Sequence, residues 1–317
     1  MEVKEIYYPV LATIGVPANL VAIVILSRGN CGLSKCSSVY MVGMASADLL
    51  VMIFNVTVCY IFTTQFPLSF LTRNPVCTFL IYMTAVTLDL SVWFTISFTF
   101  DRCVAICFRK LQTRYCTKTT ATAVLTTLAC LISLKNVPFF FAFNLQESGA
   151  VQWGCKANVQ FLTSPFGSAF FKFHTAWVAW LPFTLIFLFN ALTVRRILAA
   201  SRSRKELRGH RGEKQADPEL ENRRKSIILL FAISGSFVLL WLTATVSFLA
   251  TGLTNTNSYR VDRVDPAYVA TEVGAMLKYL SSCPNTFIYA VTQRKFREQL
   301  TGAAKYLWNL ILRPFRS

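Results

Sequence analysis

The sequence predicts an all-α membrane protein, a seven-transmembrane helix bundle that ends in a short amphipathic interfacial C-terminal helix. The chain has 317 residues, of which 54% are hydrophobic and only 15% are charged, and its mean hydropathy is +0.47. A soluble domain usually carries about 25% charged residues. Seven separate apolar runs are long enough to cross a bilayer, which takes about 20 residues.

The predicted elements follow from these runs and the segments that separate them. Short basic or polar segments end spans 1, 2 and 3, Pro182 interrupts span 5, and long polar stretches precede spans 6 and 7. The last segment alternates basic and apolar residues at helical spacing, so we expect it to lie along the membrane interface. The single domain, residues 1–317, has spans at about 6–26, 38–62, 77–107, 120–141, 168–197, 227–251 and 266–291, and the interfacial helix at about 293–311.

The net charge of +17 is explained by topology rather than by nucleic-acid binding. Most of the Lys and Arg residues fall in the predicted loops on one side of the membrane, which is the positive-inside pattern. The N-terminus is therefore predicted outside and the C-terminus in the cytoplasm. The basic loops would also be attracted to the anionic inner leaflet. We expect no cleavable signal peptide, because the first apolar run has full membrane length and lacks a small-residue cleavage site.

A set of positions distributed along the spans carries a resemblance to a known family. They are Asn19, Asp48, Cys77, Asp101-Arg102, Cys155, Pro182, Phe237 with Trp241, and Asn285 to Tyr289 followed by Phe296. In this order the chain resembles the rhodopsin-like (class A) G-protein-coupled receptors over nearly its whole length. The opening segment, YYPVLATIGVPANLVAIVILSRGNCGLSKC, is similar to the orphan G-protein-coupled receptor 139 and 142 group.

The resemblance implies a plasma-membrane receptor that binds a small extracellular ligand and activates a heterotrimeric G protein. The subgroup implies an aromatic amino acid or peptide as agonist and a Gq-type partner. The chain departs from the family pattern at Cys103, Asn190, Thr243 and Thr286. The last two stand where the family has the prolines of spans 6 and 7. Without the span 6 proline, a bend in that span must come from elsewhere or be smaller.

Two features near the ends of span 3 are implied by the resemblance. The first is a disulfide between Cys77 and Cys155, which are both predicted on the oxidising extracellular side. The second is an ionic switch, in which Asp101 holds the Arg102 guanidinium at rest. The family pattern adds further switch residues and an aromatic toggle, which are Asn285 and Tyr289 for the switch and Phe237 and Trp241 for the toggle. An interfacial arginine placed only by topology is the alternative for Arg102.

Asp48 lies in the middle of span 2, where a carboxylate costs about 2.5–3.5 kcal/mol. The resemblance implies a structural sodium ion held by Asp48, Ser91, Ser282 and Asn285, with Asn19 nearby. Hard oxygen ligands of this kind suit a hard cation. A protonated or water-bridged Asp48 is the alternative, and no other cofactor is expected.

The remaining polar groups within spans form a candidate ligand pocket. They are Asp89, His174, Glu272 and Lys278, with Thr84, Leu88, Trp241 and Phe248 as walls. Mixed acidic and basic groups fit a zwitterionic ligand such as an amino acid or a peptide end. The alternative is a buried Asp89–Lys278 pair that only braces the bundle, since ions within membranes commonly pair with one another.

Other function classes have less support in the sequence. No catalytic constellation is visible, so an enzyme is not expected. A seven-span transporter or ion pump would use Asp48, Asp89 and Lys278 as a relay, but such proteins often have internal repeats, and the sequence has none that we detect. A signalling-silent decoy or scaffold receptor remains an alternative because the two prolines are lost.

Overall fold

The chain folds into a helical bundle, and the computed structural model describes residues 3–29, 31–66, 69–72, 75–144, 156–208, 218–254 and 266–312. Six helical segments are long and apolar enough to cross a membrane. They are Val3–Ser27, Lys35–Phe62, Val76–Cys107, Lys118–Ala142, Pro165–Ala200 and Arg224–Ser247, which we call spans 1 to 6. Span 7 consists of two shorter helices, Pro266–Leu280 and Pro284–Thr292. The C-terminal helix is Arg294–Leu312.

Side-chain burial in the bundle is the reverse of that in a soluble protein. Leu239 and Val291 are 72% and 77% exposed, respectively, whereas Asp48, Asp89 and Asp101 are almost completely buried. An apolar exterior around a polar interior is expected when lipid, rather than water, surrounds the bundle. The buried polar groups are therefore the place to look for function.

Span 3 is the central helix of the bundle. It begins at Val76, ends at Cys107 and buries residues along most of its length. It packs against spans 2, 4, 5 and 6. Because one continuous helix passes through the whole bundle, side chains near its two ends are joined by a rigid element.

The other spans contain irregular turns that shape the interior. Span 2 widens into a π-helical segment at Met52–Phe62, and span 5 does so at Ala176–Trp180, just before Pro182. Span 4 is an α-helix over Lys118–Lys135 followed by a turn and a short helix at Phe139–Ala142. Such insertions are frequent at functional sites.

Spans 6 and 7 differ in how they accommodate the altered proline pattern. Span 6 lies within one helix, Pro218–Thr254, that has no break where Thr243 replaces proline. Span 7 is interrupted at residues 281–283, immediately before Pro284. The helix discontinuity is therefore in span 7. The two spans approach closely at Gly274, where an added Cβ would lie 2.7 Å from the Cα of Ala244.

Short elements connect the spans. Two two-residue strands, Phe143–Asn144 and Lys156–Ala157, pair in antiparallel register. Short helices lie at Thr63–Gln65, Arg109–Tyr115 and Val159–Thr163, with a 3₁₀ turn at Phe70–Thr72. The C-terminal helix is attached to span 7 by a ring contact between Phe296 and Tyr289, 5.9 Å between centroids.

Candidate functional site

Asp48 is at the centre of a buried polar cluster that joins spans 2, 3 and 7. The Ser91 hydroxyl donates to its Oδ1 at 2.6 Å, and the Asn285 amide donates to its Oδ2 at 2.7 Å. The Ser282 side chain is a third hydrogen-bond donor to the carboxylate. The four predicted residues are therefore brought together, and we call them the Asp48 cluster.

Asn19 extends the Asp48 cluster to span 1. Its Nδ2 donates to the Ser282 carbonyl at 2.8 Å and to the Gly15 carbonyl at 3.0 Å. Its Oδ1 is buried and accepts no hydrogen bond from the residues that the structure describes. A buried acceptor of this kind is a costly feature unless another group occupies it. The cluster therefore has one carboxylate, two hydroxyls and amide oxygens, a donor set that fits a hard monovalent cation.

Near the C-terminal end of span 3, Asp101 and Arg102 form the predicted ion pair. Both Nε and Nη2 of Arg102 donate to Oδ2 of Asp101, the first at 3.0 Å. Nη1 of Arg102 lies 3.5 Å from the Ser226 hydroxyl, so the guanidinium also reaches the start of span 6. Asp101 is completely buried and Arg102 is 8% exposed. The pair therefore bridges spans 3 and 6.

Cys36 holds the second oxygen of the Asp101 carboxylate. Its thiol donates to Oδ1 at 3.0 Å, and the nearby Cys116 thiol contacts the Asp101 backbone carbonyl at 3.9 Å. Burial, with Asp101 as a further cause, raises the pKa of Cys116 to about 12. Cys116 is thus protonated at neutral pH. The sequence did not predict these contacts of Cys36 and Cys116.

A cavity of about 320 Å³ lies between spans 3, 5, 6 and 7, and we call it the central cavity. Five of the eight predicted pocket residues line it. They are Leu88, Asp89, His174, Trp241 and Lys278. Its remaining walls are mainly apolar and include Phe139 and Phe171. A mostly apolar cavity of this size with a few polar groups is typical of small-molecule sites.

The alternative of a buried Asp89–Lys278 pair is wrong. Oδ2 of Asp89 is paired with Lys135 of span 4 at 2.5 Å and accepts from the Asn136 amide at 2.8 Å. Asp89 and Lys135 side chains are 1% and 12% exposed, so this ion pair is buried. The Lys278 ammonium has no ion-pair or hydrogen-bond partner among the described residues, and its Nζ lies 4.8 Å from the Tyr279 ring centroid.

His174 is a neutral member of the same network. Its Nδ1 lies 2.8 Å from the Lys135 ammonium. An ammonium group only donates, so Nδ1 must be the acceptor and Nε2 must carry the proton. The four titratable groups in and beside the central cavity are Asp89, Lys135, His174 and Lys278. They carry a net charge of +1.

Three predicted pocket residues do not line the central cavity as expected. Glu272 is paired with Lys4 of span 1 at 2.5 Å, beside a separate cavity of about 210 Å³ between spans 1 and 2. Thr84 is outside the lining set, and its hydroxyl donates to the Ile81 carbonyl at 2.7 Å. The Phe248 side chain lies outside the described residues.

Trp241 connects the central cavity to the break in span 7. Its ring lines the cavity and stacks on Phe237, with 5.4 Å between ring centroids. Its Nε1 donates to the Ser281 hydroxyl at 2.9 Å. The next residue, Ser282, belongs to the Asp48 cluster, so cavity and cluster meet at adjacent residues of span 7.

The predicted disulfide cysteine Cys77 and the predicted switch residue Tyr289 have different outcomes. Cys77 is disulfide-bonded, but Cys155 lies outside the described residues, so the pairing of these two cysteines stays a prediction. Tyr289 is completely buried, and its hydroxyl has no hydrogen-bond partner in the part of the chain that the structure describes. It is separate from the Asp101–Arg102 pair.

Sequence reasoning missed Lys135, Asn136, Ser281 and Cys36. A depth count would have pointed to Lys135, because it lies 17 residues after Lys118, about 26 Å along span 4 at 1.5 Å per residue. That is close to the depth of Asp89, which lies 18 residues, or about 27 Å, from the end of span 3 at Cys107. No comparable signal identifies Cys36, whose contact depends on side-chain rotamers.

Comparison with known proteins gives one family match. The family model described as 7 transmembrane receptor (rhodopsin family) matches residues 18–289. The matched region includes Asn19, the Asp48 cluster, the central cavity and the Asp101–Arg102 pair. It also includes Asn285 and Tyr289 at its C-terminal end.

Proposed function

Because the chain belongs to the rhodopsin family of seven-transmembrane receptors, we propose that it detects a small extracellular ligand and activates a heterotrimeric G protein, of the Gq type. The ligand binds in the central cavity, and Arg102 is the output residue. The receptor lies in the plasma membrane with its N-terminus outside and its C-terminus in the cytoplasm. The membership makes it a signalling receptor of the membrane rather than a member of an enzyme family.

One observation carries this proposal, namely that span 3 joins the central cavity to the Asp101–Arg102 pair. From Leu88 to Arg102 the unbroken helix rises about 21 Å at 1.5 Å per residue. The guanidinium also contacts Ser226 at the start of span 6, while Trp241 of that span lines the cavity. A ligand that shifts span 6 relative to span 3 would therefore change the environment of Arg102. Such a ligand acts by preferring one of the two arrangements.

The ligand is proposed to be an aromatic amino acid or a peptide end. The apolar rings of Phe139, Phe171 and Trp241 supply a surface for an aromatic group, and Lys278 supplies a charge for an ionised end. The resemblance to the orphan G-protein-coupled receptor 139 and 142 group points to the same ligand class and to Gq.

Arg102→Ala tests the proposed function. We expect the variant, measured per receptor at the surface, to lose ligand-stimulated guanine-nucleotide exchange, because it lacks the guanidinium that Asp101 releases on activation. The measurement is exchange on Gq and on other G-protein classes, with an amino-acid and peptide panel. Arg114→Ala, an exposed arginine nearby, is the matched control. If the wild type and Arg102→Ala are equally silent on every G protein, the receptor proposal fails.

We also propose that the Asp48 cluster holds a sodium ion, with Asp48, Ser91, Ser282 and Asn285 as its ligands. The ion would supply positive charge to a carboxylate that otherwise accepts hydrogen bonds only from neutral donors. The unused Oδ1 of Asn19 supports a further oxygen ligand at this place.

Sodium should therefore stabilise the wild-type receptor. Replacing potassium chloride by an equal concentration of sodium chloride is expected to raise the unfolding temperature by about 2 °C when sodium is near ten times its dissociation constant. Asp48→Asn should abolish the difference between the two salts, as measured by thermal unfolding in detergent. An Asp48→Asn protein that still responds to sodium would place the ion elsewhere.

A further inference from the structure

The central cavity has an unbalanced positive charge, which narrows the ligand class named in the proposed function. Asp89, the acid on its wall, is already neutralised by Lys135 and is hydrogen-bonded by Asn136. Lys278 lines the same cavity and has no counter-ion among the described residues. A cation within a membrane span is costly unless an anion accompanies it.

The acidic side of the cavity is closed to a ligand amine. Oδ2 of Asp89 already accepts two strong donors, and its Oδ1 is buried away from solvent. The neutral His174 ring accepts at Nδ1 from Lys135, which leaves Nε2–H as a donor. Besides the hydroxyls of Thr175 and Thr245, the polar groups offered to a ligand are therefore an ammonium and an N–H. Both favour an oxygen anion.

We propose that the central cavity recognises a free carboxylate attached to an apolar body, with Lys278 as the residue that binds the carboxylate. The inference rests on the proposed ligand cavity and narrows its ligand class. The carboxylate is required, whereas an α-amino group is dispensable. Phe139, Phe171 and Trp241 contact the apolar body.

The proposal is specific about charge, because an ammonium–carboxylate hydrogen bond in an apolar cavity is roughly twice as strong as a neutral one. A decarboxylated amine would place a third cation beside Lys278 and Lys135. A primary amide group in place of the carboxylate is neutral and would leave the Lys278 charge without a partner. Both should bind much more weakly than an acid of the same shape.

The experiment compares four probes that share a phenyl ring and differ in charge. They are 3-phenylpropionate, L-phenylalanine, L-phenylalanine amide and phenethylamine, supplemented by a series of aryl and alkyl monocarboxylates. Binding to purified receptor is read from the rise in unfolding temperature and from competition between probes. These readouts do not require a G protein, so loss of exchange with retained binding would count against the proposed function alone.

We expect acids to bind, with 3-phenylpropionate binding comparably to L-phenylalanine, and the amide and amine to bind at least about tenfold more weakly. Lys278→Met should abolish acid binding and should not lower the unfolding temperature of the free receptor, because it removes an uncompensated charge. Lys172→Met, an exposed lysine of span 5, should behave like wild type. The proposal is overturned if the amine or amide binds as well as the acid, if Lys278→Met retains acid binding, or if no carboxylate in the series binds.

Discussion

Lys135→Met is expected to cost about 3–5 kcal/mol of stability, the range for removing one partner of a buried ion pair. The loss of Lys135 leaves the Asp89 carboxylate, which is 1% exposed, with only the Asn136 amide as a partner. The variant should therefore be nearly absent from the cell surface. The measurements are surface expression and, for protein recovered in detergent, the temperature of unfolding.

The structure also predicts an asymmetry between the two single variants. Asp89→Asn should cost less, because Lys135 would keep His174 Nδ1 as an acceptor at 2.8 Å and the Trp177 ring at 5.9 Å. The double variant, Asp89→Asn with Lys135→Met, should recover most of the loss because it leaves no unpaired charge at either position. Lys118→Met, an exposed lysine at the start of span 4, is the matched control.

The outcome of this cycle separates two roles for Asp89. Recovery in the double variant would show that the Asp89–Lys135 pair is mainly structural, which is consistent with a ligand that binds Lys278 instead. A double variant no better than Lys135→Met would contradict the paired arrangement. Ligand binding by the recovered double variant would in addition show that neither member is needed for recognition.

The parts of the site that the sequence predicted well depend on position along single helices. Asp48 and Ser91 come together because each lies near the middle of its span, and Asp101 and Arg102 are neighbours in one helix. The position of a residue along its span determines its depth in the membrane, so residues at similar depths are obvious candidates for contact. The helical fold itself follows from the same constraint, because a backbone in lipid must satisfy its own hydrogen bonds.

What could not be predicted depends on the rotation of one helix relative to another. Asp89 could meet Lys278 or Lys135 by depth, and a turn of about 100° per residue decides between them. The sequence analysis considered only the residue in span 7, as an alternative, and the structure pairs Asp89 with the one in span 4. Glu272 likewise turns towards Lys4 of span 1 rather than towards the central cavity. Apolar spans carry little information about this rotation, because lipid-facing and core-facing residues are both hydrophobic.

Asp101→Asn should raise basal guanine-nucleotide exchange by about tenfold or more, because it weakens the proposed switch formed by Asp101 and Arg102. Asp101 holds Arg102 through two charge-assisted hydrogen bonds. An asparagine lacks the charge, so the hold is weakened, and each 1–2 kcal/mol shifts a two-state equilibrium by a factor of about 5–30. The measurement is exchange without ligand, normalised to surface receptor. Unchanged basal exchange in a well-expressed variant would contradict the role of Asp101 as the resting partner.

Cys36→Ala should act in the same direction by a smaller amount. Its thiol is the partner of the other Asp101 oxygen, and without it the orientation of the carboxylate that holds Arg102 is less fixed. A thiol is a weak donor, so we expect a rise in basal exchange of a few fold, about 1 kcal/mol. Cys36→Ser keeps a donor and should stay near wild type, whereas Cys130→Ala, an exposed cysteine, is the control. Because Cys36 acts only through Asp101, Cys36→Ala should add little to Asp101→Asn. Additive effects would mean that Cys36 influences the switch by another route.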